Sequence, residues 1–89
     1  MSLTEIFEQS VAATKTLPRK PDNDTLLELY SLYKQATAGD APTEGDYGMF
    51  DFVGKAKHDA WKKRTGTAKD DAMQQYVDLV NKLRSAISD

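Results

Sequence analysis

LLELYSLYKQAT, at residues 26–37, has the spacing of apolar and aromatic side chains that is typical of an amphipathic helix. Tyr30 and Lys34 are four residues apart and Tyr33 is three from Tyr30, so the three lie on one surface of that helix. Two hydroxyl-bearing rings beside a cation can seat a ligand that joins a flat ring to phosphate, because ring faces stack while ammonium and hydroxyl groups donate hydrogen bonds. Taken alone, the spacing is more typical of tyrosines at the edge of a core, with buried rings and solvated hydroxyls.

Helix signals recur on both sides of this stretch. Ser2 and Glu5 form a capping box that begins a first helix, and Pro18 lies just beyond its predicted end. Gly39, which can adopt a positive φ, follows the second helix. The four predicted helices, with approximate ends, span residues 2–17, 22–37, 51–64 and 68–87. No stretch shows the strict alternation that marks a strand, so the sequence predicts an all-α fold, a small four-helix bundle.

Two residues between and within these helices are not predicted to carry chemistry. Tyr47 lies in the segment 39–48, whose glycines, proline and acids predict a loop, and it is expected to pack or to face solvent. His58 is expected on the surface of the third helix, because the sequence places no second catalytic group beside it.

Composition limits the classes of protein open to this chain. Its 89 residues are enough for one domain, 1–89, with a single modest core. There is no cysteine and only one histidine, so neither disulfides, a metal site nor a cofactor is expected. The net charge of -2 offers no broad positive field for nucleic acid, so any anion-binding surface must be local.

The sequence also favours a soluble, cytoplasmic protein. The N-terminal MSLTEIFEQS carries two glutamates and no apolar run, unlike a signal or transit peptide. No stretch approaches the roughly 20 apolar residues of a membrane span. No heptad repeat marks a surface for another helix, so a monomer is expected.

Three segments share content, order and spacing with one known family. They are LYSLYKQATAGD at 29–40, GMFDFVGKAKHDAW at 48–61 and GTAKDDAMQQYVDLV at 66–80. Through them the chain resembles the acyl-CoA-binding proteins over almost its whole length. The resemblance implies a four-helix bundle that binds medium- and long-chain fatty acyl-CoA esters without covalent chemistry. It also implies an intracellular carrier and pool former, in transient contact with membranes or with enzymes that use acyl-CoA.

The resemblance further implies a set of ligand-binding positions. Tyr33 is expected to stack on the adenine ring and Tyr76 to contact the ribose region. The 3′-phosphate is expected to lie against cations and hydroxyls, because burying phosphate without paired cations is very costly. The positions expected to bind acyl-CoA are Lys15, Tyr30, Ser31, Leu32, Tyr33, Lys34, Lys57 and Tyr76. Among them, the phosphate is assigned to Tyr30, Lys34 and Lys57. The acyl chain needs an apolar trough, which is expected at Leu26, Leu27, Phe52 and Ala56.

The chain departs from the family pattern at three places. His58 stands where the family usually has tryptophan, and Val53 where it often has a basic residue. The segment GDAPTEGDYGM is one residue longer than the common form and lacks an arginine often found there. These departures bear on chain-length preference more than on binding itself.

Two other classes of function compete with a carrier. An enzyme such as a thioesterase would need an activated nucleophile or base, yet no motif pairs a histidine with the serines at 10, 31, 85 and 88, and His58 has no assigned carboxylate partner. A helical protein-interaction module would use the basic run 62–64 as a docking patch, although such a run is more typical of a solvated face.

Overall fold

Four helices make up the regular structure of the computed structural model, which describes residues 1–87; Ser88 and Asp89 lie outside the described residues. The helices are α1 (Leu3–Thr14), α2 (Asn23–Ala38), α3 (Phe52–Lys62) and α4 (Lys69–Ile87). No strand occurs within residues 1–87. The all-α prediction is therefore confirmed.

The first helix begins as predicted and ends early. The Ser2 hydroxyl accepts a hydrogen bond from the Glu5 N–H at 3.2 Å, and the Glu5 carboxylate accepts one from the Ser2 N–H at 3.4 Å. The helix ends at Thr14, although the sequence predicted Leu17. The Thr14 and Thr16 hydroxyls donate to carbonyls three residues back, at 2.6 and 3.1 Å. Such local bonds compete with helix continuation, so the chain turns off and Leu17 is freed for other contacts.

The second helix is capped at both ends, by Asp22 and by Gly39. The Asp22 carboxylate accepts a hydrogen bond from the Thr25 N–H at 2.8 Å, and this bond lowers the Asp22 pKa. At the other end Gly39 adopts a φ of 85°, a conformation that costs glycine little.

Helix α2 is the centre of the molecule, because it packs against both α3 and α4, while α1 packs on α4. The core lies among α1, α2 and α4, where the Phe7 and Tyr76 rings pack in a T-shaped arrangement with their centres 5.1 Å apart. Its buried apolar residues are Phe7, Leu29, Leu32, Ala36, Ala72, Tyr76, Val77 and Val80. The other side of α2 is left for contacts with α3.

A buried amide fixes the C-terminal end of α2. The Gln35 side-chain amide donates to the Asp40 carboxylate at 2.8 Å and to the Thr67 carbonyl at 2.9 Å. The same Asp40 oxygen accepts from the Gly66 N–H at 2.9 Å. The Asp40 pKa is lowered chiefly by the Gly66 bond and then by the Gln35 bond. Gln35 thus ties α2 to the loop that follows it and to the turn before α4.

We expect Gln35→Ala to lower the free energy of unfolding by at least about 2 kcal/mol, because it removes both hydrogen bonds and leaves a cavity at a buried position. The matched control is Gln74→Ala, since Gln74 is exposed and, among residues 1–87, its amide bonds only to Asp78 on its own helix. That control should change stability by less than about 0.5 kcal/mol. Urea unfolding followed by circular dichroism measures both. Equal effects of the two substitutions would contradict the role given to Gln35.

Candidate functional site

Three adjoining cavities lie along α2. The first, here called the tyrosine cavity, has a volume of about 310 Å³ and is lined by Val11, Thr14, Leu17, Pro21, Leu26, Leu29, Tyr30, Tyr33 and Tyr76. The apolar cavity, of about 380 Å³, is lined by Asn23, Leu26, Leu27, Phe52, Val53, Ala56 and Lys57. The lysine cavity, of about 290 Å³, is lined by Tyr30, Lys34, Pro42, Glu44, Asp46, Tyr47, Gly54, Lys57, His58 and Trp61.

Shared residues join these cavities into one groove. Leu26 lines both the tyrosine and the apolar cavities. Tyr30 separates the tyrosine cavity from the lysine cavity, and Lys57 lies between the lysine cavity and the apolar cavity. A single ligand that is charged at one end and apolar at the other can therefore contact all three.

Two ammonium groups are held over aromatic rings in the lysine cavity. The Lys34 Nζ lies 4.9 Å from the centre of the Trp61 ring, and the Lys57 Nζ lies 5.4 Å from the centre of the Tyr30 ring. Neither lysine forms an ion pair with any residue in the described part of the chain. A cation over a ring keeps its N–H donors available, so both lysines can receive an anion.

The tyrosine cavity is built on stacked rings. The Tyr33 ring stacks on the Phe7 ring, with the ring centres 6.0 Å apart, and Tyr33 remains 40% exposed. The Tyr76 ring lies deep, because it packs on Phe7 in the core and is only 4% exposed. Burial raises the Tyr76 pKa, and a hydrogen bond with Thr14 opposes that shift. Tyr76 therefore keeps its phenolic proton at neutral pH.

The expected trough residues all meet in one place. The side chains of Leu26, Leu27, Phe52 and Ala56 line the apolar cavity together with Val53. Phe52 and Val53 are 70% and 66% exposed, so they belong to the groove and not to the core. With the neighbouring Met49 and Phe50 they form an exposed apolar patch, residues 49, 50, 52 and 53. Exposed apolar patches commonly mark interaction sites.

Three of the expected acyl-CoA-binding positions do not line the groove. Ser31 and Leu32 point elsewhere, because successive residues of a helix are turned by about 100° and only one face of α2 borders the cavities. Leu32 is a core residue, and the buried Ser31 hydroxyl donates to the Glu28 carbonyl at 2.9 Å and accepts from Arg64 Nε at 3.1 Å. Lys15 is an exposed residue directly after α1, next to Thr14, which does line the groove.

The burial of His58 was not predicted from the sequence. The residue was expected on the helix surface, but it is only 7% exposed, with the Tyr47 ring centre at 5.8 Å and the Trp61 ring centre at 6.4 Å. The loop after α2 covers it, and a Cβ built at Gly45 would lie 2.8 Å from the His58 Cγ. The path of a loop is not encoded in helical periodicity, so only the glycine and tyrosine content of the segment hinted at this packing.

Within residues 1–87, no group of three or more His, Cys, Asp or Glu side chains is placed to hold a metal ion. No helix there is both long enough and apolar enough to cross a membrane.

Two available ammonium groups, the tyrosine rings and an apolar cavity adjoin one another, and this arrangement defines a class of binding protein. It suits a ligand that carries phosphate, a flat ring and an apolar chain. A family model described as "Acyl CoA binding protein" matches residues 4–80. The chain belongs to the acyl-CoA-binding protein family.

Individual relatives agree with this assignment over nearly the whole chain. Acyl-CoA-binding protein homolog 1 of Caenorhabditis elegans is 51% identical over 81 residues, which are 91% of this chain and 93% of that protein. The acyl-CoA-binding protein homolog of Manduca sexta is 44% identical over 87 residues, covering 98% and 97%. The crystal structure of Oryza sativa acyl-CoA-binding protein 2 superposes with a TM-score of 0.88 at 41% identity, covering 98% of this chain and 96% of that one. The predicted small helical bundle and the predicted family are both confirmed.

Proposed function

We propose that this chain binds medium- and long-chain fatty acyl-CoA esters non-covalently, one ligand lying along the groove. The observation that carries the proposal is that the three cavities adjoin, each pair of them sharing a lining residue, Leu26, Tyr30 or Lys57. A head group in the lysine and tyrosine cavities leaves the acyl chain beside the apolar cavity. The protein then serves as an intracellular carrier that holds a pool of acyl-CoA.

The head group is assigned to the aromatic and cationic end of the groove. Lys34, Lys57 and the Tyr30 hydroxyl hold the 3′-phosphate, since all three line one cavity and neither ammonium group forms an ion pair with a carboxylate among residues 1–87. A phosphate monoester carries a charge of about -1.5 to -2, so more than one cation is needed to offset its desolvation. Tyr33 offers its exposed ring to adenine, and Tyr76 contacts the ribose region from deeper in the cavity.

Two of the expected contacts take lesser roles. Lys15, just outside the groove, adds positive potential near the phosphate rather than a direct contact. Ser31 and Leu32 are left out of the proposed site, because they are buried on other faces of α2.

The chain acts as a carrier and performs no reaction on its ligand. Acyl transfer would need a nucleophile activated by a nearby base. His58 is the only histidine in the sequence. Within residues 1–87, no serine, carboxylate or other group forms a hydrogen bond with its Nε2. We propose that no metal or cofactor takes part.

The proposal extends to the setting in which the carrier works. We propose a monomeric single domain, residues 1–89, in the cytoplasm. Its exposed apolar patch, at 49, 50, 52 and 53, borders the apolar cavity and provides the surface for transient contact with membranes or with enzymes that use acyl-CoA. Docking of a protein through the basic run 62–64 is less well supported, because Arg64 is engaged with Ser31.

We expect affinity to rise with acyl length as long as added methylenes reach the apolar cavity. Each buried methylene contributes up to about 0.8 kcal/mol, so two carbons should tighten binding by up to about 15-fold. Titration calorimetry with octanoyl-, decanoyl-, dodecanoyl- and palmitoyl-CoA measures this slope. Ala56→Glu, which puts a carboxylate in the cavity, should flatten it without removing head-group binding. An unchanged slope in that variant would contradict the trough.

A further inference from the structure

His58 is a buried titratable group in the groove to which the proposed function gives no role. It is 7% exposed, and its Nε2 atom is buried without a hydrogen-bond partner among residues 1–87. It lines the same cavity as Tyr30, Lys34 and Lys57, the side chains assigned to phosphate. Leaving a buried polar atom unpaired costs about 1–3 kcal/mol, so a ligand group that pairs with it recovers that free energy.

The charges around the imidazole change when a phosphate enters the lysine cavity. In the free protein, two ammonium groups border that cavity. Carboxylates on the exposed loop offset them only in part, because solvent screens exposed charges. The ionisable groups facing His58 are Tyr30 and Lys34 from α2, Glu44, Asp46 and Tyr47 from the loop, and Lys57 and Asp59 from its own helix. A phosphate monoester seated among them adds a charge of about -1.5 to -2 beside the imidazole, which favours the protonated ring.

We propose that His58 is a third phosphate-binding group in the lysine cavity, and that binding of coenzyme A draws a proton onto its ring. Nε2 is closed off from solvent in the free protein, so in the complex the loop that packs on the ring, at Gly45 and Tyr47, shifts enough for the imidazolium Nε2–H to donate to the 3′-phosphate. This inference rests on the proposed function, since it requires the phosphate to occupy this cavity.

Proton uptake on binding makes the contribution of His58 to affinity depend on pH. If the bound ring holds its proton more firmly than the free ring, the contribution of His58 to affinity is present at the acid end of the imidazole range. That contribution is lost as pH rises through the titration of the bound ring, within about pH 5 to 8. The phosphate opposes this trend in every variant, because it loses its second negative charge below about pH 6. Comparison with a His58 variant cancels the phosphate's own titration.

The test uses the fact that the chain has one histidine. Its ring ¹H–¹³C signal is followed by NMR from pH 5 to 8 in the free protein, with saturating coenzyme A, and with saturating 3′-dephospho-coenzyme A. We expect coenzyme A to move the midpoint at least about one unit higher, the size produced by a nearby opposite charge, and dephospho-coenzyme A to move it less than half as far. A midpoint that stays in place or falls with coenzyme A overturns the inference.

Binding is recorded in the same samples from the backbone amide signals, which separates the two claims. Bound coenzyme A with an unmoved histidine defeats only the role of His58, whereas no binding of any coenzyme A compound defeats the proposed function as well. The variant His58→Gln adds a second readout. We expect it to bind coenzyme A about tenfold more weakly than the natural chain at pH 6 and about equally at pH 8. A ratio that does not change with pH would mean that His58 only fills space, and would overturn the inference.

Discussion

Lys57→Ala is expected to weaken binding of palmitoyl-CoA by about 10- to 150-fold. Lys57 lies at the junction of the lysine and apolar cavities, with its ammonium group over the Tyr30 ring and no carboxylate partner in the described part of the chain. A hydrogen bond to a charged group contributes about 1.5–3 kcal/mol, and its loss corresponds to the expected weakening of about 10- to 150-fold. Titration calorimetry at fixed ionic strength measures the loss.

The matched control is Lys55→Ala, two residues earlier on α3. Lys55 lies outside the three cavities, and its ammonium group is paired with the Asp59 carboxylate at 2.9 Å. We expect that variant to bind within about twofold of the natural chain, because an exposed pair contributes little. The Lys57 effect should also shrink when the ligand lacks the 3′-phosphate. Equal losses for the two variants would mean that net charge, and not the groove, governs affinity.

Tyr33→Ala is expected to weaken palmitoyl-CoA binding by about 5- to 150-fold. Tyr33 lines the tyrosine cavity and is 40% exposed, and its ring stacks on the Phe7 ring with the ring centres 6.0 Å apart. Stacking of a base on an aromatic side chain contributes about 1–3 kcal/mol, and an alanine cannot supply it. The loss should be similar for free coenzyme A, because the adenine ring is present in both ligands.

Tyr33→Phe separates the ring from its hydroxyl. It keeps the stacking face and the contact with Phe7, so we expect affinity within about threefold of the natural chain. Urea unfolding of both variants checks that binding losses do not reflect a damaged core, since an aromatic pair contributes about 0.5–1.5 kcal/mol. If Tyr33→Phe loses as much affinity as Tyr33→Ala, the ring is not the adenine platform.

The helices were largely predictable, because their signals are local. The capping box at Ser2 and Glu5 and the positive φ of Gly39 each follow from the chemistry of one or two residues. The end of α1 was not predicted correctly. There two threonine hydroxyls bond back to carbonyls, and the freed Leu17 lines the tyrosine cavity instead of continuing the helix.

The site was predictable where helical spacing determines which side chains are neighbours. Tyr30 and Lys34, one turn apart, do share a cavity, as the spacing required. The family resemblance placed the whole YSLYK segment at the site, including Ser31 and Leu32. The geometry of the helix turns these two side chains toward the interior. His58 could not be placed, because its burial depends on where the loop after α2 crosses α3.

Titration calorimetry of the delipidated protein with palmitoyl-CoA, beside free coenzyme A and free palmitate, tests the central claim most directly. If one continuous groove binds both ends of the ligand, palmitoyl-CoA binds one to one and far more tightly than either fragment. If all three ligands bind weakly or with similar affinity, the three cavities do not act as one site and the proposed function is contradicted.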